Sequence, residues 1–388
     1  MTLMHNYARL PVAFSRGEGV WLYDTEGRRY LDALAGIAVV GLGHCHPAVT
    51  AALQSQAGTL LHTSNLYQIP LQEQLADSLC RLSGLDAAFF CNSGAEANEA
   101  AIKMARLHGH QKGIAEPQIL VFTQAFHGRT LAALTATGNY RIQEGFAPLV
   151  PGFVRAPYGD VTTVRGLLAA NPGIVAILVE PIQGEGGVRP APQGFLAELR
   201  TLCDTHGLLL MLDEVQTGIG RTGTFFAYQQ MAGVMPDVLS LAKGLGNGVP
   251  IGALLARKNA ADLFGPGKHG TTFGGGPLVC AAAQAVLDTM ENAHIPAQAQ
   301  KMGALLQEKL RQTLGQHPEV QDIRGMGLMV GIELHKKPER LVERALAAGL
   351  LINVTADKVI RLLPPLIITE PEIDLLVSGI ARLLESTS

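Results

Sequence analysis

The 388-residue sequence predicts an α/β fold, in which a large domain with a mostly parallel sheet is followed by a smaller α+β domain. The large domain is predicted by short runs that are apolar at every position and that alternate with longer segments of helical period. Strands that are apolar on both faces are typical of parallel sheets covered by helices on both sides. The second domain is predicted by a change of pattern after Gly276, where Ala-rich helical segments begin. The chain has no repeat of fixed period, which disfavours a solenoid or a propeller.

The predicted elements follow in order along the chain. Short alternating patterns at 19–23 and 28–31 predict a small hairpin outside the main sheet. The large domain has predicted helices that include 95–108 and 195–206, and predicted strands at 87–91, 119–123, 174–179, 208–212, 238–241 and 251–255. The second domain has predicted strands near 326–333 and at 359–363, and predicted helices at 278–292, 299–314 and 370–384. We therefore expect an N-terminal segment (1–45) that packs with the small domain, a large domain (46–276) and a small domain (277–388).

Composition restricts the classes of partner. Charged residues make up 16% of the chain, below the ~25% of an average globular protein. A low charged fraction suggests that part of the chain's surface is hidden from water, and an oligomer interface is the simplest way to hide it. The net charge is −3 and no block is rich in Lys or Arg, which argues against nucleic acid as a partner because phosphate binding needs a basic surface.

The cysteines and the apolar segments indicate the compartment. The five cysteines are scattered, odd in number and never in CxxC spacing, which indicates free thiols in a reducing environment. Residues 1–10 lack the apolar core of a signal peptide, and no apolar stretch reaches the ~18–20 residues of a membrane span. We therefore expect a soluble, cytoplasmic protein with no membrane partner.

Two predicted strands end in groups of opposite charge. Asp213 follows the apolar run 208–212, and Lys243 lies just after the run 238–241, in a glycine-rich loop. Pyridoxal phosphate enzymes need such a pair: a lysine that binds the aldehyde covalently and an acid that keeps the pyridine nitrogen protonated. The ordinary pKa of lysine, ~10.4, is too high for this chemistry at neutral pH, so we expect an apolar pocket near a cation to lower it. The alternative is a solvated lysine and an aspartate that caps the next turn.

A candidate phosphate site follows the predicted strand 87–91. Residues 92–99 read NSGAEANE and begin the predicted helix 95–108. Ser93 is a good N-cap, Gly94 permits close approach to the backbone, and free amides at a helix start bind anions. The alternative is an ordinary capping box formed by Ser93 and Glu96.

Side chains for a ring and a carboxylate follow two other strands. Phe126, after the strand 119–123, has the aromatic face that can stack on a pyridine ring. Arg129 can bind a carboxylate with both of its terminal nitrogens. Beyond Asp213, Val215 extends on the same side and is suited to the opposite face of the ring, while Gln216 can bind the ring's phenolic oxygen. The alternative is that Phe126 belongs to the core and Arg129 to a surface ion pair.

Two further motifs were considered as ligand sites. Thr271 and Thr272 offer hydroxyl groups for a phosphate in a glycine-rich loop, which is otherwise an ordinary connection. The sequence His44-Cys45-His46 has the wrong spacing for tetrahedral zinc, and no second ligand pair follows it. We therefore expect a structural turn there and no metal site.

Taken together, these motifs resemble the class III, pyridoxal-phosphate-dependent aminotransferases of fold type I. The resemblance runs nearly the whole length, from GLGHCHP at 41–47 to RLLPP at 361–365, and includes FHGRT at 126–130, EPIQGEGG at 180–187 and DEVQTG at 213–218. It implies a seven-stranded, mostly parallel sheet in a large domain that binds pyridoxal 5'-phosphate. Two positions depart from the family pattern: Gly276 stands where relatives commonly have Asn, and Asn247 replaces a glycine.

The resemblance implies roles for particular residues of this chain. The catalytic residues are Lys243, which binds the cofactor covalently, and Asp213, which pairs with its ring nitrogen. The implied cofactor-binding residues are Ser93, Gly94, Ala95, Phe126, Asp213, Glu214, Val215, Gln216, Lys243 and Thr272. Thr272 would reach the phosphate from the neighbouring subunit, so that a homodimer shares its active sites. The implied substrate-binding residues are Arg129, Asn139, Arg141, Glu185, Thr271 and Arg361.

The resemblance also implies the substrates. The stretch ATGNYRIQEGF at 136–146 indicates N2-acetyl-L-ornithine as amino donor and 2-oxoglutarate as acceptor. Arg361 would bind the α-carboxylate of glutamate or 2-oxoglutarate, and Glu185 would pair with Arg361 when the other substrate occupies the site. Succinylornithine, ornithine, N-succinyl-diaminopimelate and 4-aminobutyrate are alternative donors. Decarboxylation or racemisation on the same scaffold is a second class of function, and a binding protein without activity is a third.

Overall fold

The computed structural model describes residues 2–385. The N-terminal part contains three short strands and three helices: β1 (Phe14–Glu18), β2 (Trp21–Asp24), β3 (Arg29–Asp32), α1 (Ala35–Ala38), α2 (Pro47–Ala57) and α3 (Pro70–Ser83). The predicted hairpin corresponds to β2 and β3, which pair antiparallel outside the main sheet. The metal-like sequence at 44–46 forms a turn, in which His44 Nε2 lies 2.8 Å from Asp32 Oδ2.

The middle part alternates strands and helices as predicted. Its elements are β4 (Ala87–Cys91), α4 (Gly94–Gln111), β5 (Gln118–Phe122), α5 (Leu131–Ala136), β6 (Phe153–Ala156), α6 (Val161–Ala170), β7 (Ile174–Val179), β8 (Ile182–Gln183), β9 (Arg189–Pro190), α7 (Phe195–His206), β10 (Leu209–Asp213), β11 (Val238–Leu241) and β12 (Gly252–Ala256). Single 3-10 turns occupy Tyr140–Ile142, Ala227–Gln230, Lys243–Leu245 and Lys258–Leu263.

The C-terminal part is mixed. Its elements are α8 (Pro277–Asn292), α9 (Ile295–Leu314), β13 (Val320–Met326), β14 (Met329–Leu334), α10 (Leu341–Ala347), β15 (Leu350–Leu351), β16 (Asn353–Thr355), β17 (Val359–Leu362) and α11 (Glu370–Glu385). The strand expected near 326–333 is a hairpin instead, because the chain reverses at Gly327, whose φ of 53° is left-handed.

The central sheet has seven strands in the order β4-β12-β11-β10-β7-β5-β6. The pairs from β11 to β6 are parallel, and β12 alone runs against its neighbours. The mostly parallel α/β architecture with seven strands is thus confirmed. The residue pattern by itself had predicted six of these strands and had missed the edge strand β6.

Alternation along each central strand divides the core in two. In β10, Leu210 and Leu212 belong to the apolar cluster that includes Leu199 of α7, whereas Leu209 and Met211 belong to the cluster that includes Met104 of α4. All five residues of β10 are buried. Asp213 therefore ends a strand with no exposed face, on the side of the sheet that α4 covers.

The terminal segments meet in a second sheet. β15 pairs parallel with β3, so that the small N-terminal sheet has the order β1-β2-β3-β15. A third sheet, β13-β14-β17-β16, carries Arg361 on its buried strand β17. The division into domains at residues 45 and 276 stays a prediction, and residues 1 and 386–388 of the predicted end segments lie outside the described residues. Within residues 2–385, no helix is long and apolar enough to cross a membrane.

Candidate active site

The predicted strand-end residues meet in one cavity of about 390 Å³ at the carboxyl edge of the central sheet. In open α/β sheets, ligands bind at this edge. Of the residues predicted from sequence, those that line the cavity are Ser93, Gly94, Ala95, Phe126, Arg129, Glu185, Asp213, Val215, Gln216 and Lys243.

The start of α4 forms one end of the cavity. Ser93 is the N-cap, and its hydroxyl oxygen accepts a bond from Glu96 N at 3.2 Å. A side chain at position 94 would lie 2.6 Å from Val215 Cγ1, so glycine is required there for packing. The Glu96 carboxylate turns back to accept bonds from Asn92 N and Nδ2 at 2.6 and 2.8 Å. The capping function and an anion site at the same helix start are therefore compatible.

Asp213 lies in a buried hydrogen-bond network. Its Oδ2 accepts from Asn98 Nδ2 and faces His127 Nδ1, both at 2.7 Å. Its Oδ1 accepts from Val215 N at 3.0 Å. Asp213, Asn98 and His127 are each less than 5% exposed. Three groups thus fix the carboxylate, and Oδ1, with one bond, keeps an acceptor site free.

Lys243 follows β11 in a tight turn. Its φ of 46° is left-handed, which is uncommon for a residue with a side chain and marks a constrained position. Burial, and then the charge of Arg361, lower the pKa of Lys243 from 10.5 to about 8. A buried position near a cation, which lowers the pKa of the amine, is what we expected from the sequence for a lysine that reacts near neutral pH.

Arg361 is fully buried and lies opposite. Its Nη1 donates to Glu185 Oε1 at 2.6 Å and approaches Gln216 Oε1 at 3.3 Å, and its Nε donates to Asn353 at 3.2 Å. Nη2 is buried without a hydrogen-bond partner among the described residues. Glu185 is one-third exposed, so this carboxylate can leave the guanidinium without unfolding a core element.

A second cavity of about 730 Å³ opens outward from the first and shares Phe126, Arg129 and Glu185 with it. Asn139 and Arg141 line it. Arg141 is exposed and pairs with Asp357 at 3.2 Å. The Arg129 guanidinium lies 5.7 Å from the centre of the Phe126 ring. The outer cavity therefore offers cations and an amide to a substrate that extends away from Lys243.

Three residues predicted for the site, Glu214, Thr271 and Thr272, line neither cavity of their own chain. The Glu214 side chain points away from the cavity, where its carboxylate accepts from Ala227 N, Tyr228 N and the Thr217 hydroxyl. Burial raises the pKa of Glu214 to about 7. Thr271 and Thr272 line neither cavity, and the Thr271 hydroxyl oxygen accepts from Asn92 Nδ2 at 3.2 Å. Thr272 is exposed.

Asn98, His127 and Glu180 are among the residues of the cavity wall that sequence reasoning missed. Glu180 Oε2 accepts from Phe126 N at 3.0 Å and so fixes the aromatic residue. Burial and the neighbouring Asp213 hold the pKa of Glu180 well above its usual value. All three lie within the motifs at 92–99, 126–130 and 180–187, so the motifs were the sequence signal that could have identified them. The contact of Asn98 and His127 with Asp213, in contrast, arises only in the folded chain.

The two departures from the family pattern have different structural settings. Asn247 has a left-handed φ of 46°, and its side chain accepts from Leu42 N at 2.8 Å and donates to Gly43 O at 3.1 Å. Gly276 has an ordinary φ of −65° at the start of α8. The substituted asparagine therefore joins the loop after Lys243 to the N-terminal segment, whereas position 276 does not need glycine for its backbone.

Comparisons with known proteins show the family of the chain. The family model described as "Aminotransferase class-III" matches residues 2–384. The chain therefore belongs to the class III aminotransferase family, a pyridoxal-phosphate-dependent family of fold type I.

Individual relatives show which members of the family the chain is similar to. The chain is 54% identical to the acetylornithine aminotransferase of Nitrosomonas europaea, over 98% of this chain and 97% of that one. It is 52% identical to acetylornithine aminotransferase 1 of Bordetella bronchiseptica, over 99% and 97% of the two chains. Among solved structures, the ornithine aminotransferase of Toxoplasma gondii matches with a TM-score of 0.96 at 35% identity, covering 100% of this chain and 93% of that one. The acetylornithine aminotransferase of Elizabethkingia anophelis matches with a TM-score of 0.88 at 37% identity, covering 99% and 96%.

The residues of the cavity fit the family's cofactor. Amides at the start of α4 suit a phosphate dianion, and Gly94 leaves room that a Cβ would fill. Phe126 and Val215 present apolar surfaces to the cavity, and the free acceptor site of Asp213 suits a protonated ring nitrogen. Lys243 would supply the amine that the aldehyde needs.

Proposed function

We propose that this protein transfers the δ-amino group of N2-acetyl-L-ornithine to 2-oxoglutarate, giving N-acetyl-L-glutamate 5-semialdehyde and L-glutamate, as a step of arginine biosynthesis. The observation that carries the proposal is the 54% identity, over nearly the full length of both chains, with a relative named as an acetylornithine aminotransferase. When bound, pyridoxal phosphate stabilises negative charge on the substrate carbon and holds the amino group between the two half-reactions.

Lys243 supplies proton transfer. With a pKa of about 8, roughly a tenth of the amine is unprotonated at pH 7, far more than for an ordinary lysine, so that it can accept a proton from substrate carbon and return it. Asp213 is held in place by the bonds that it accepts from Asn98 and Val215, and its carboxylate would pair with the protonated ring nitrogen of the bound cofactor. These two residues are the proposed catalytic pair.

Arg361 and Glu185 let one pocket accept two kinds of amine. Glutamate and 2-oxoglutarate place an α-carboxylate near the reacting carbon, and we assign Arg361 to that carboxylate because Nη2 is buried without a partner. For this to happen Glu185 must release Nη1. When the δ-amine of the acylated donor is in the site, Glu185 stays on Arg361 and neutralises it. The donor's own carboxylate and acyl group then extend toward Arg129, Asn139 and Arg141 of the outer cavity.

A homodimer with shared sites is part of the proposal. Thr272 is exposed and lines neither cavity of its own chain, which fits a residue that serves the partner's phosphate site. Large apolar side chains are also exposed at Leu60, Leu61, Leu66 and Phe273, and the 60–66 segment contacts that loop through the bond from Asn65 to the Thr271 carbonyl. Side chains of this kind are suited to burial between subunits. The compartment stays a prediction of the sequence.

The deciding experiment compares kcat/KM for a panel of amino donors with 2-oxoglutarate as acceptor. The panel contains N2-acetylornithine, succinylornithine, ornithine, N-succinyl-diaminopimelate and 4-aminobutyrate. N2-acetylornithine is expected to have the highest value, and a preference for free ornithine would overturn the substrate assignment.

Free ornithine is the second candidate donor because of the TM-score of 0.96 to an ornithine aminotransferase. The lower identity of that match, 35%, makes it the weaker argument. Glutamate added alone tests transamination as such, since it should remove the yellow absorbance of the bound cofactor whichever donor is preferred.

A further inference from the structure

The Asn98 side chain is held on both sides of its amide. Nδ2 donates to Asp213 Oδ2 at 2.7 Å and to the His127 carbonyl at 2.8 Å. Oδ1 accepts from the Ser240 hydroxyl at 2.6 Å. Asn98 and Ser240 are each 1% exposed, so water does not compete for these bonds.

The fold places these groups together by strand register and helix packing. Ser240 of β11 lies directly beside Asp213 of β10 in the parallel pair. Both side chains point to the face of the sheet that α4 covers, since Met211 and Val238, two residues earlier in each strand, belong to the core on that face. Asn98 extends down from the second turn of α4 to meet them.

The two acceptors, Asp213 and the His127 carbonyl, set which way the amide points, and the Ser240 hydroxyl supplies the donor that its oxygen then needs. Turned by 180°, the amide would set Oδ1 against the Asp213 carboxylate and the His127 carbonyl, which are both acceptors, and would set two hydrogens against the serine oxygen. With the hydroxyl present, the observed orientation satisfies every group of the amide. Without it, Oδ1 would be a buried acceptor with no donor, which is unfavourable.

We propose that Ser240 is a positioning residue for the cofactor: through Asn98 it supports a charge-assisted hydrogen bond to Asp213 and holds that carboxylate in place for a ring nitrogen. Ser240 itself does not line the cavity. Its effect therefore reaches the reaction only through the amide. The proposal rests on the family's cofactor and is independent of the identity of the amino donor.

The test compares variants at position 240 by two measurements: the dissociation constant of pyridoxal phosphate for the apo protein, and the rate of the glutamate half-reaction of the holoenzyme. Ser240→Ala is expected to weaken cofactor binding by about tenfold or more, the usual effect of impairing a hydrogen bond to a charged group. It is also expected to lower the half-reaction rate while leaving the KM for glutamate nearly unchanged, because substrates do not contact Ser240.

A matched pair separates the hydroxyl from the packing. Thr and Val differ only in whether a hydroxyl or a methyl group occupies one branch, so Ser240→Thr should stay close to wild type and Ser240→Val should behave like Ser240→Ala. This pair decides the question even if Ser240→Ala fails to fold. Equal losses in Ser240→Thr and Ser240→Val, or wild-type cofactor affinity in Ser240→Ala, would overturn the proposal.

The chain also contains a control for a purely structural role. Ser78 Oγ donates to Gln284 Oε1 at 3.2 Å, and both residues are buried, away from the cavity. Ser78→Ala removes the same kind of bond and is expected to lower thermal stability without changing cofactor affinity. If Ser240→Ala and Ser78→Ala give the same result, Ser240 is only structural. A donor panel that favours another amine would leave these measurements intact.

Discussion

Lys243 shows how a single residue can be costly to the fold and useful to the reaction. Its amine is buried and lies near the charge of Arg361, and both features disfavour the charged form. The resulting pKa of about 8 makes the amine reactive, but the protonated form must be accommodated below that pH in the protein without cofactor. Burial of the protonated amine therefore lowers the free energy of unfolding, and this effect is measured in the apo protein.

Replacement of Lys243 by Met is therefore expected to stabilise the apo protein at pH 7 by roughly 1–3 kcal/mol, while turnover falls by at least about 10³-fold. The sign follows from proton binding. Between pH 8 and pH 10.5 the unfolded chain binds the lysine proton and the folded chain does not, so wild-type stability rises with pH through that interval. The advantage of the variant should shrink there. Urea unfolding of both apo proteins at several pH values measures the difference, and a constant difference would contradict the lowered pKa.

Glu185 permits a second test at the level of one residue. Glu185→Gln keeps the size of the side chain but removes the charge that pairs with Arg361 at 2.6 Å. The guanidinium is then freer to bind an α-carboxylate, so we expect kcat/KM for glutamate to rise several-fold relative to that for the ω-amine donor. Half-reaction kinetics with each amine give this ratio. Glu343→Gln, on the rim of the outer cavity, is a matched control, and an unchanged ratio in Glu185→Gln would contradict the role of the pair.

The residues that sequence reasoning found and missed differ in a physical way. Asp213 and Lys243 were predictable because each directly follows an apolar run, and strand ends at one edge of a parallel sheet converge. Asn98 and Ser240 were not, because their importance depends on a register between β10 and β11 and on the depth of α4 above the sheet. Glu214 was assigned to the cofactor with its neighbours, although period-two alternation sends its side chain to the opposite face from Asp213.

At the level of elements, burial decided which strands could be predicted. β7, β10 and β11 are buried at every position and therefore read as continuous apolar runs. β6 lies at the edge of the sheet, contains Arg155 and has only its last residue fully buried. A short, half-exposed edge strand carries no such run, so its pairing with β5 is a property of the tertiary structure.

The loop after β11 makes a prediction at this level. Asn247 combines a left-handed backbone with two side-chain bonds to the segment at Leu42 and Gly43. Asn247→Gly keeps the backbone conformation and loses the two side-chain bonds, so we expect its free energy of unfolding to fall by about 2 kcal/mol. Asn247→Ala also has to adopt the left-handed conformation with a Cβ, which adds about 1 kcal/mol.

Thermal unfolding of the three proteins tests this order. Gly276→Ala serves as the control, since position 276 has an ordinary φ and a Cβ there would come no closer than 3.4 Å to other atoms. It should unfold close to the wild-type temperature. If Asn247→Gly is as stable as wild type, the two side-chain bonds contribute nothing and the loop is held by other contacts.

At the level of the whole molecule, the proposed homodimer would complete the phosphate site of each chain. The start of α4 offers amides, but the threonine hydroxyl assigned to the phosphate is exposed and lies outside the cavity. In a homodimer with two-fold symmetry, each chain can give Thr272 to its partner's site. Neither site is then complete without the other chain, and this predicts complementation between two inactive variants.

Lys243→Ala removes the catalytic amine, and Thr272→Glu sets a carboxylate against the partner's phosphate, so each homodimer should be inactive or nearly so. In a mixed dimer, the Lys243→Ala chain supplies an intact Thr272 to the site that retains Lys243, and that site works. Random pairing should therefore restore about a quarter of the wild-type activity, because half of the dimers are mixed and each has one good site.

Activity is measured after the two chains are unfolded and refolded together, with simple mixing of the folded proteins as the control. No recovery after joint refolding into dimers would show that Thr272 serves its own chain or neither, and a monomer in sedimentation analysis would remove the shared site altogether.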